Sequence, residues 1–230
     1  MKKLAIFCGV CLFATSAFAE LSKSEARRLG EAATVLSELR GTPDRGIPED
    51  LWNKAQCVMV IPSMKKAAFV IGGEAGSGVM SCRRANGWSA PVFMHLAKGS
   101  FGLQIGAEEV DLVLLVMNRR GVDKLLQDKV SLGTDASLAA GPVGRSANAA
   151  TDAQMNAEML AYSRSQGLFA GIDLSGGVLR PDTEADARAY GSNLTPREIV
   201  EGKGKVAIPA PAQSFVRALG RDVEATSGRK

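Results

Sequence analysis

Few side chains in this sequence are placed to do chemistry. Four basic residues come as two pairs, Lys65-Lys66 and Arg83-Arg84, and Glu108-Glu109 forms an acidic pair. Lysine and arginine pairs suit phosphate and carboxylate groups, arginine through its planar fork and lysine as a point charge. The one histidine, His95, stands among Phe93, Met94 and Leu96. An imidazole in such an apolar strand is expected to be a hydrogen-bonded core residue, since an acid–base role needs a partner group. The sequence has no Gly-x-Ser-x-Gly elbow, no His-Glu-x-x-His and no paired His/Cys ligand spacing. No catalytic residue, metal or cofactor is therefore assigned, and the chain is not expected to be an enzyme. Asp111 opens the apolar run Leu112–Met117, and bonds to backbone N–H groups account for a carboxylate at a strand end. Gly73-Glu74-Ala75-Gly76-Ser77-Gly78 lacks both the dinucleotide-binding spacing and a P-loop lysine. It lies between two strand-like segments, so it reads as a turn or bulge.

The first residues address the chain. Met1-Lys2-Lys3, an apolar run from Leu4 to Phe13, and Ala17-Phe18-Ala19 ahead of Glu20 form the pattern of a signal peptide cleaved after Ala19. The apolar run is too short for a membrane span, which takes about 20 residues. The expected destination is a bacterial periplasm or the exterior, with residues 20–230 forming one domain. Cys8 and Cys11 leave with the leader, and Cys57 and Cys82 remain. The formal net charge of +4 includes Lys2 and Lys3, and no Lys/Arg block exceeds two residues. Nucleic acid is not expected as a partner.

The elements that must position these groups follow from periodicity. Ser22-Lys23-Ser24-Glu25 is a capping-box pattern, and Leu29, Ala32, Ala33, Leu36 and Leu39 recur at helical spacing. They predict an amphipathic helix over 22–40. Its stripe has no aromatic residue and its polar face carries both signs, so docking onto the domain core is expected rather than docking onto a membrane. A short helix is predicted from Pro48 to Gln56. Six strands are predicted next: Cys57–Ile61, Ala67–Gly72, Val79–Arg83, Trp88–Leu96, Phe101–Ala107 and Val110–Asn118. The Asn86-Gly87 turn is the strongest hairpin signal, and the close spacing reads as an antiparallel meander. A helix at 119–128, a strand at Ala136–Gly141, a hairpin of Met155–Arg164 with Leu168–Leu174, and helices at 183–190, 196–201 and 211–224 complete the reading. The fold class is α+β, a curved antiparallel sheet or barrel-like core flanked by N- and C-terminal helices.

In a meander of alternating strands, the turns at 62–66, 84–87 and 108–109 share one end. Lys65, Lys66, Arg83 and Arg84 would gather there as a phosphate-binding cluster, partly neutralised by Glu108 and Glu109. Lys98, Arg119 and Arg120 would collect at the other end. The alternative is that all are solvated turn residues. The same meander sets Cys57 and Cys82 at opposite ends, whereas an oxidising compartment favours a disulfide between them. Either the strand order is not sequential or both thiols are free.

Several stretches together resemble a known family, the SYLF lipid-binding domain, also called the yeast-type actin-binding domain family. They are Val58-Met59-Val60-Ile61-Pro62, Ala68-Phe69-Val70-Ile71-Gly72-Gly73, Gly76-Ser77-Gly78-Val79, Trp88-Ser89-Ala90-Pro91, Gly99–Gly106, Ala140–Arg145 and Tyr162–Gly171. The resemblance runs from about residue 30 to 201. It implies a non-catalytic module that binds anionic lipid, phosphoinositides in eukaryotic members, some of which also bind actin filaments. A periplasm holds neither phosphoinositide nor actin. Anionic phospholipid is the expected ligand, with an envelope protein as the alternative partner. Arg145 and Arg164 fall inside matching motifs. They are candidate lipid contacts, or arginines that lock the fold through hydrogen bonds.

Overall fold

A computed structural model describes residues 21–40, 46–143, 156–165, 168–203 and 206–220, with backbone alone for 67–71 and 100–107. The leader segment 1–19 and Arg145 lie outside the described residues.

Helix α1, Lys23–Arg40, starts at the expected capping box. Ser22 Oγ accepts the Glu25 N–H at 3.3 Å and the Glu25 carboxylate accepts the Ser22 N–H at 2.7 Å. Leu29, Ala32, Val35, Leu36 and Leu39 are buried, so its apolar stripe docks on the protein's own sheet. Helix α2, Glu49–Lys54, follows Pro48.

The six predicted strands are in fact one long hairpin. Strand β1 runs Cys57–Arg84, β2 is Gly87–Trp88, and β3 runs Val92–Val116. Only the Asn86-Gly87 turn is a true reversal. The expected turn at 62–66 is a bulge: Ile61 pairs with Leu112 and Met64 with Val110, so Pro62 and Ser63 share one opposite residue, Asp111. Ser63 takes the bulge's positive φ of 48° and donates its N–H to Asp111 Oδ1 at 2.9 Å. The glycine run 73–78 is not a turn either; its residues pair regularly with Met94–Gly99.

Those glycines let β1 curl onto itself. A Cβ at Gly78 would collide with the Val60 carbonyl oxygen and the Ile61 side chain, and one at Gly76 with Ile61 and Met64. The end of β1 therefore crosses its own beginning. The Arg83 N–H donates to the Gln56 oxygen and the Gln56 N–H to the Val116 oxygen, each at 2.7 Å. Cys57 and Cys82 face each other across this closure, Cα atoms 3.9 Å apart, joined by a disulfide. The meander's placement of them at opposite ends fails because the strand between them is continuous and coiled.

Alternation along the hairpin serves two cores. Val58, Val60, Val113 and Leu115 pack with α1 and the C-terminal helices. Met59, Ile61, Leu112, Leu114 and Val116 fill the other face. Both faces are buried, which explains apolar runs without polar alternation.

One edge of β3 takes two strands. Strand β6, Met159–Ser165, pairs with Asp111–Val116, and β8, Val178–Pro181, pairs with Met94–Ala97. Three short strands, β4 at Val130–Ser131, β5 at Leu138–Ala140 and β7 at Leu168–Gly171, complete a strongly curled, half-barrel sheet. Helix α3, Arg119–Leu125, is capped by Asn118. Helices α4, Thr183–Tyr190, and α5, Pro196–Glu201, hold their predicted bounds. Helix α6 is Gln213–Gly220, preceded by a 3-10 turn at Ala210–Ala212 where its predicted span begins; residues 221–224 of that span lie outside the described residues. Among the described residues no helix is long and apolar enough to cross a membrane.

Candidate functional site

A cleft of about 660 Å³ lies between the start of α1 and the hairpin. Its floor is a row of registered residues. Ser77 of β1 stands opposite His95 of β3, and His95 opposite Arg180 of β8. Directly opposed residues on adjacent strands project to the same face. The bulge brings Ser63 and Lys65 to one wall, and α1 supplies Arg27 and Arg28 above.

His95 is the hub. Its Nδ1 lies 2.9 Å from Ser77 Oγ and its Nε2 lies 3.0 Å from Asp182 Oδ2. Asp182 is the N-cap of α4, accepting the Ala185 N–H on Oδ1 at 3.1 Å. Its Oδ2 also receives Arg28 at 3.1 Å. Burial works to raise its pKa, but hydrogen bonds from His95, Ala185 and Arg28 outweigh it and hold the carboxyl well below the usual range. Arg28 also lies 5.4 Å from the Phe93 ring centre. Expected as a core residue, His95 instead has a third of its side chain exposed at the cleft floor.

Serine, histidine and aspartate thus stand in hydrogen-bond series, the residue types of a hydrolytic triad. The ring is reversed relative to that template, with serine on Nδ1. Ser77 also sits within strand β1 rather than on the sharp turn that lifts a nucleophile towards backbone N–H donors. The arrangement fixes an imidazole and offers a hydroxyl to the cleft.

The cleft is cationic. Lys65 and Arg180 line it with no ion-pair or side-chain hydrogen-bond partner among the described residues. Arg27 faces Glu31 at 3.6 Å in an exposed pair, a contact worth a few tenths of a kcal/mol. Glu31 and Glu109 are the acidic lining groups.

The expected basic cluster is divided. Lys65 and Lys66 register against Glu109 and Glu108, so the anticipated neighbours are real. Arg83 and Arg84 are elsewhere, beside the disulfide in a smaller hollow of about 260 Å³ with Arg119 and Glu201. Arg83 donates to the Ala55 and Trp52 carbonyls at 3.0 Å and lies 4.6 Å from the Trp88 ring centre. It ties α2 to the hairpin. A strand that curls rather than reverses separates residue 65 from residue 83. The opposite group is dispersed too: Lys98 bonds the Asp173 carbonyl, Arg119 pairs with Asp123 and Glu201, and Arg120 pairs with Glu158. Arg164 is a lock. Its guanidinium joins Asp111 at 2.7 Å and Glu38 of α1, binding helix, bulge and β6 together. No group of three or more potential metal ligands occurs among the described residues.

Comparison with known proteins places the sequence in a family. The family model Ysc84, described as "Las17-binding protein actin regulator", matches residues 97–222. The chain is 36% identical over 180 residues to Protein YSC84 of Saccharomyces cerevisiae, covering 76% of this chain and 38% of that protein. The chain belongs to the Ysc84 family. The human SH3 domain-containing YSC84-like protein 1 is 31% identical over 196 residues, covering 84% of this chain and 56% of that protein. An SH3 domain-containing protein of Schizosaccharomyces pombe is 34% identical over 203 residues, 46% of its length. This Ysc84 chain spans about half the length, or less, of these relatives.

Four cleft-lining residues, Arg27, Arg28, Ser77 and Arg180, escaped sequence reasoning, as did Asp182, the carboxylate that holds His95. The Asn86-Gly87 turn held part of the signal. Extending one hairpin outward from it brings Ser77 near His95. Nothing local showed that β8 would add Arg180, and the N-cap of α4 Asp182, on the far edge.

Proposed function

We propose that this Ysc84-family chain is an exported, non-catalytic binding protein that recognises anionic phospholipid at the cell envelope. The observation that carries the reading is the cationic cleft, where Lys65 and Arg180, without an ion-pair partner among the described residues, stand beside Arg27 and Arg28. Unpaired cations converging on one concave surface favour an anionic group. Relatives carry names of binding and regulatory proteins, which supports a role without turnover. Export rests on the leader pattern at 1–19. A periplasm or exterior supplies phospholipid but no actin.

The test is co-sedimentation of the protein, beginning at Glu20, with neutral and with phosphatidylglycerol vesicles across a salt series. Binding is expected to the anionic vesicles alone and to weaken with salt. Each basic group at an anionic surface contributes about 1 kcal/mol, so Lys65→Ala/Arg180→Ala is expected to weaken binding about 30-fold. Equal sedimentation of both proteins, or none with wild type at low salt, removes the lipid reading.

A second reading, a protein partner at the envelope, is favoured by the relatives named for binding Las17. A stoichiometric protein retained from envelope extract in detergent, with vesicle binding absent, selects it.

A further inference from the structure

We propose that the cleft binds a phosphate-type oxyanion together with a proton, because His95 decides whether the Ser77 hydroxyl can donate to the ligand. The inference rests on the anion-binding reading above and adds its regulation.

The argument starts at Asp182. A carboxylate has lone pairs only, so the hydrogen in its 3.0 Å contact belongs to His95 Nε2. A neutral imidazole then has a bare Nδ1, and the Ser77 O–H 2.9 Å away donates to it. In that state Ser77 Oγ turns only lone pairs to the cleft and repels an anion. When the ring takes a second proton from solvent, Nδ1–H donates to Ser77 Oγ. The Ser77 hydrogen is released and swings out as a donor, and the floor gains a positive charge.

The surroundings reinforce the coupling. Arg27 and Arg28 of α1, Lys65 of β1 and Arg180 of β8 oppose a second proton on the ring while the cleft is empty. Glu31 of α1, Glu109 of β3 and Asp182 favour it, with Asp186 and Arg188 of α4 interacting with Asp182 from behind. A bound oxyanion neutralises the cations and accepts from Ser77, so it favours the imidazolium. By linkage the proton favours the anion to the same extent.

His95 is the single histidine, so its imidazole resonances report its titration without assignment. The purified protein is titrated by NMR alone, with sodium sulfate, and with short-chain phosphatidylglycerol below its micelle concentration. Sodium chloride at matched ionic strength is the control. Both probes keep their charge across the range, so a moved midpoint belongs to the protein. The expected result is a midpoint raised by about one unit, equivalent to about tenfold tighter binding at acid than at alkaline pH. His95→Gln, whose amide can donate to Asp182 and accept from Ser77, is expected to bind weakly and without pH dependence. Ser77→Ala is expected to lose most of the midpoint rise. A midpoint unmoved by both probes overturns the proposal, as does wild-type pH dependence in His95→Gln. If anionic vesicles sediment while neither probe moves the midpoint, the coupling falls and the membrane reading stands. If sulfate moves the midpoint and anionic vesicles do not sediment, the coupled site stands for a soluble oxyanion and the membrane reading falls.

Discussion

Asp186 is 1% exposed, and among the described residues only one of its carboxyl oxygens has a hydrogen-bond partner. Oδ1 accepts the Phe93 N–H at 2.9 Å, while Oδ2 has none. Burial pushes its pKa up to about 7, with the neighbouring Asp182 charge adding to the rise and the Phe93 N–H and Arg28 opposing it. The native state therefore holds a proton that the unfolded chain releases near the ordinary aspartate value. Stability from this group is complete below about pH 4 and is lost as pH climbs through 7, by up to roughly 4 kcal/mol. In a His95→Gln background, which silences the imidazole, urea unfolding is expected to show a lower midpoint at pH 8 than at pH 5. Adding Asp186→Asn, which keeps the acceptor for Phe93, should abolish most of that difference. An unchanged difference would place the dependence on another group. At this scale sequence reasoning was right that a backbone N–H, that of Ser63, holds Asp111, but wrong to set it at a strand end: it lies within β3 opposite the bulge and also pairs with Arg164. It failed with His95, whose partners come from strand β1 and from the N-cap of α4.

Among elements, helices with local signals were legible. The Ser22–Glu25 capping box and the Thr195–Glu198 box are both formed by hydrogen bonds within four residues, so sequence alone contains both partners. Strand β1 was misread because Pro62 and the 73–78 glycines are the usual marks of turns. Here they shape one strand, the proline by a bulge and the glycines by allowing close crossing. Gly78 is the sharpest test. Gly78→Ala forces a methyl against the Val60 carbonyl, and a loss of about 1–3 kcal/mol is expected. Gly99→Ala, with nothing within 4 Å of its added Cβ, is expected to be neutral within about 0.5 kcal/mol. Thermal unfolding of the two variants measures both, and equal effects would show that the self-crossing is not tight in solution.

For the whole molecule, the disulfide closes a loop of 25 residues of sequence separation across the point where β1 meets itself. Chain entropy assigns such a bridge about 3 kcal/mol. A thiol count on denatured protein beginning at Glu20 is expected to find no free thiol before reduction and two after it. Cys57→Ser/Cys82→Ser should lower the unfolding midpoint while leaving the ladder pairing intact. Two free thiols in unreduced protein would exclude the bond.

The sequence by itself determined the α+β class, the helices with their own caps, the hairpin tip at Asn86-Gly87 and the family. Each of these is set by patterns a few residues long or by motifs in order. Only the tertiary structure decided where the chemistry lies. The coil of β1 sent Lys65 and Arg83 to different hollows and drew Cys57 to Cys82. Strand β8 laid Arg180 opposite His95 from 85 positions away in sequence, and the N-cap of α4 that follows it brought Asp182. Such neighbours are chosen by burying both faces of a curled sheet at once, a condition that no local stretch of chain expresses.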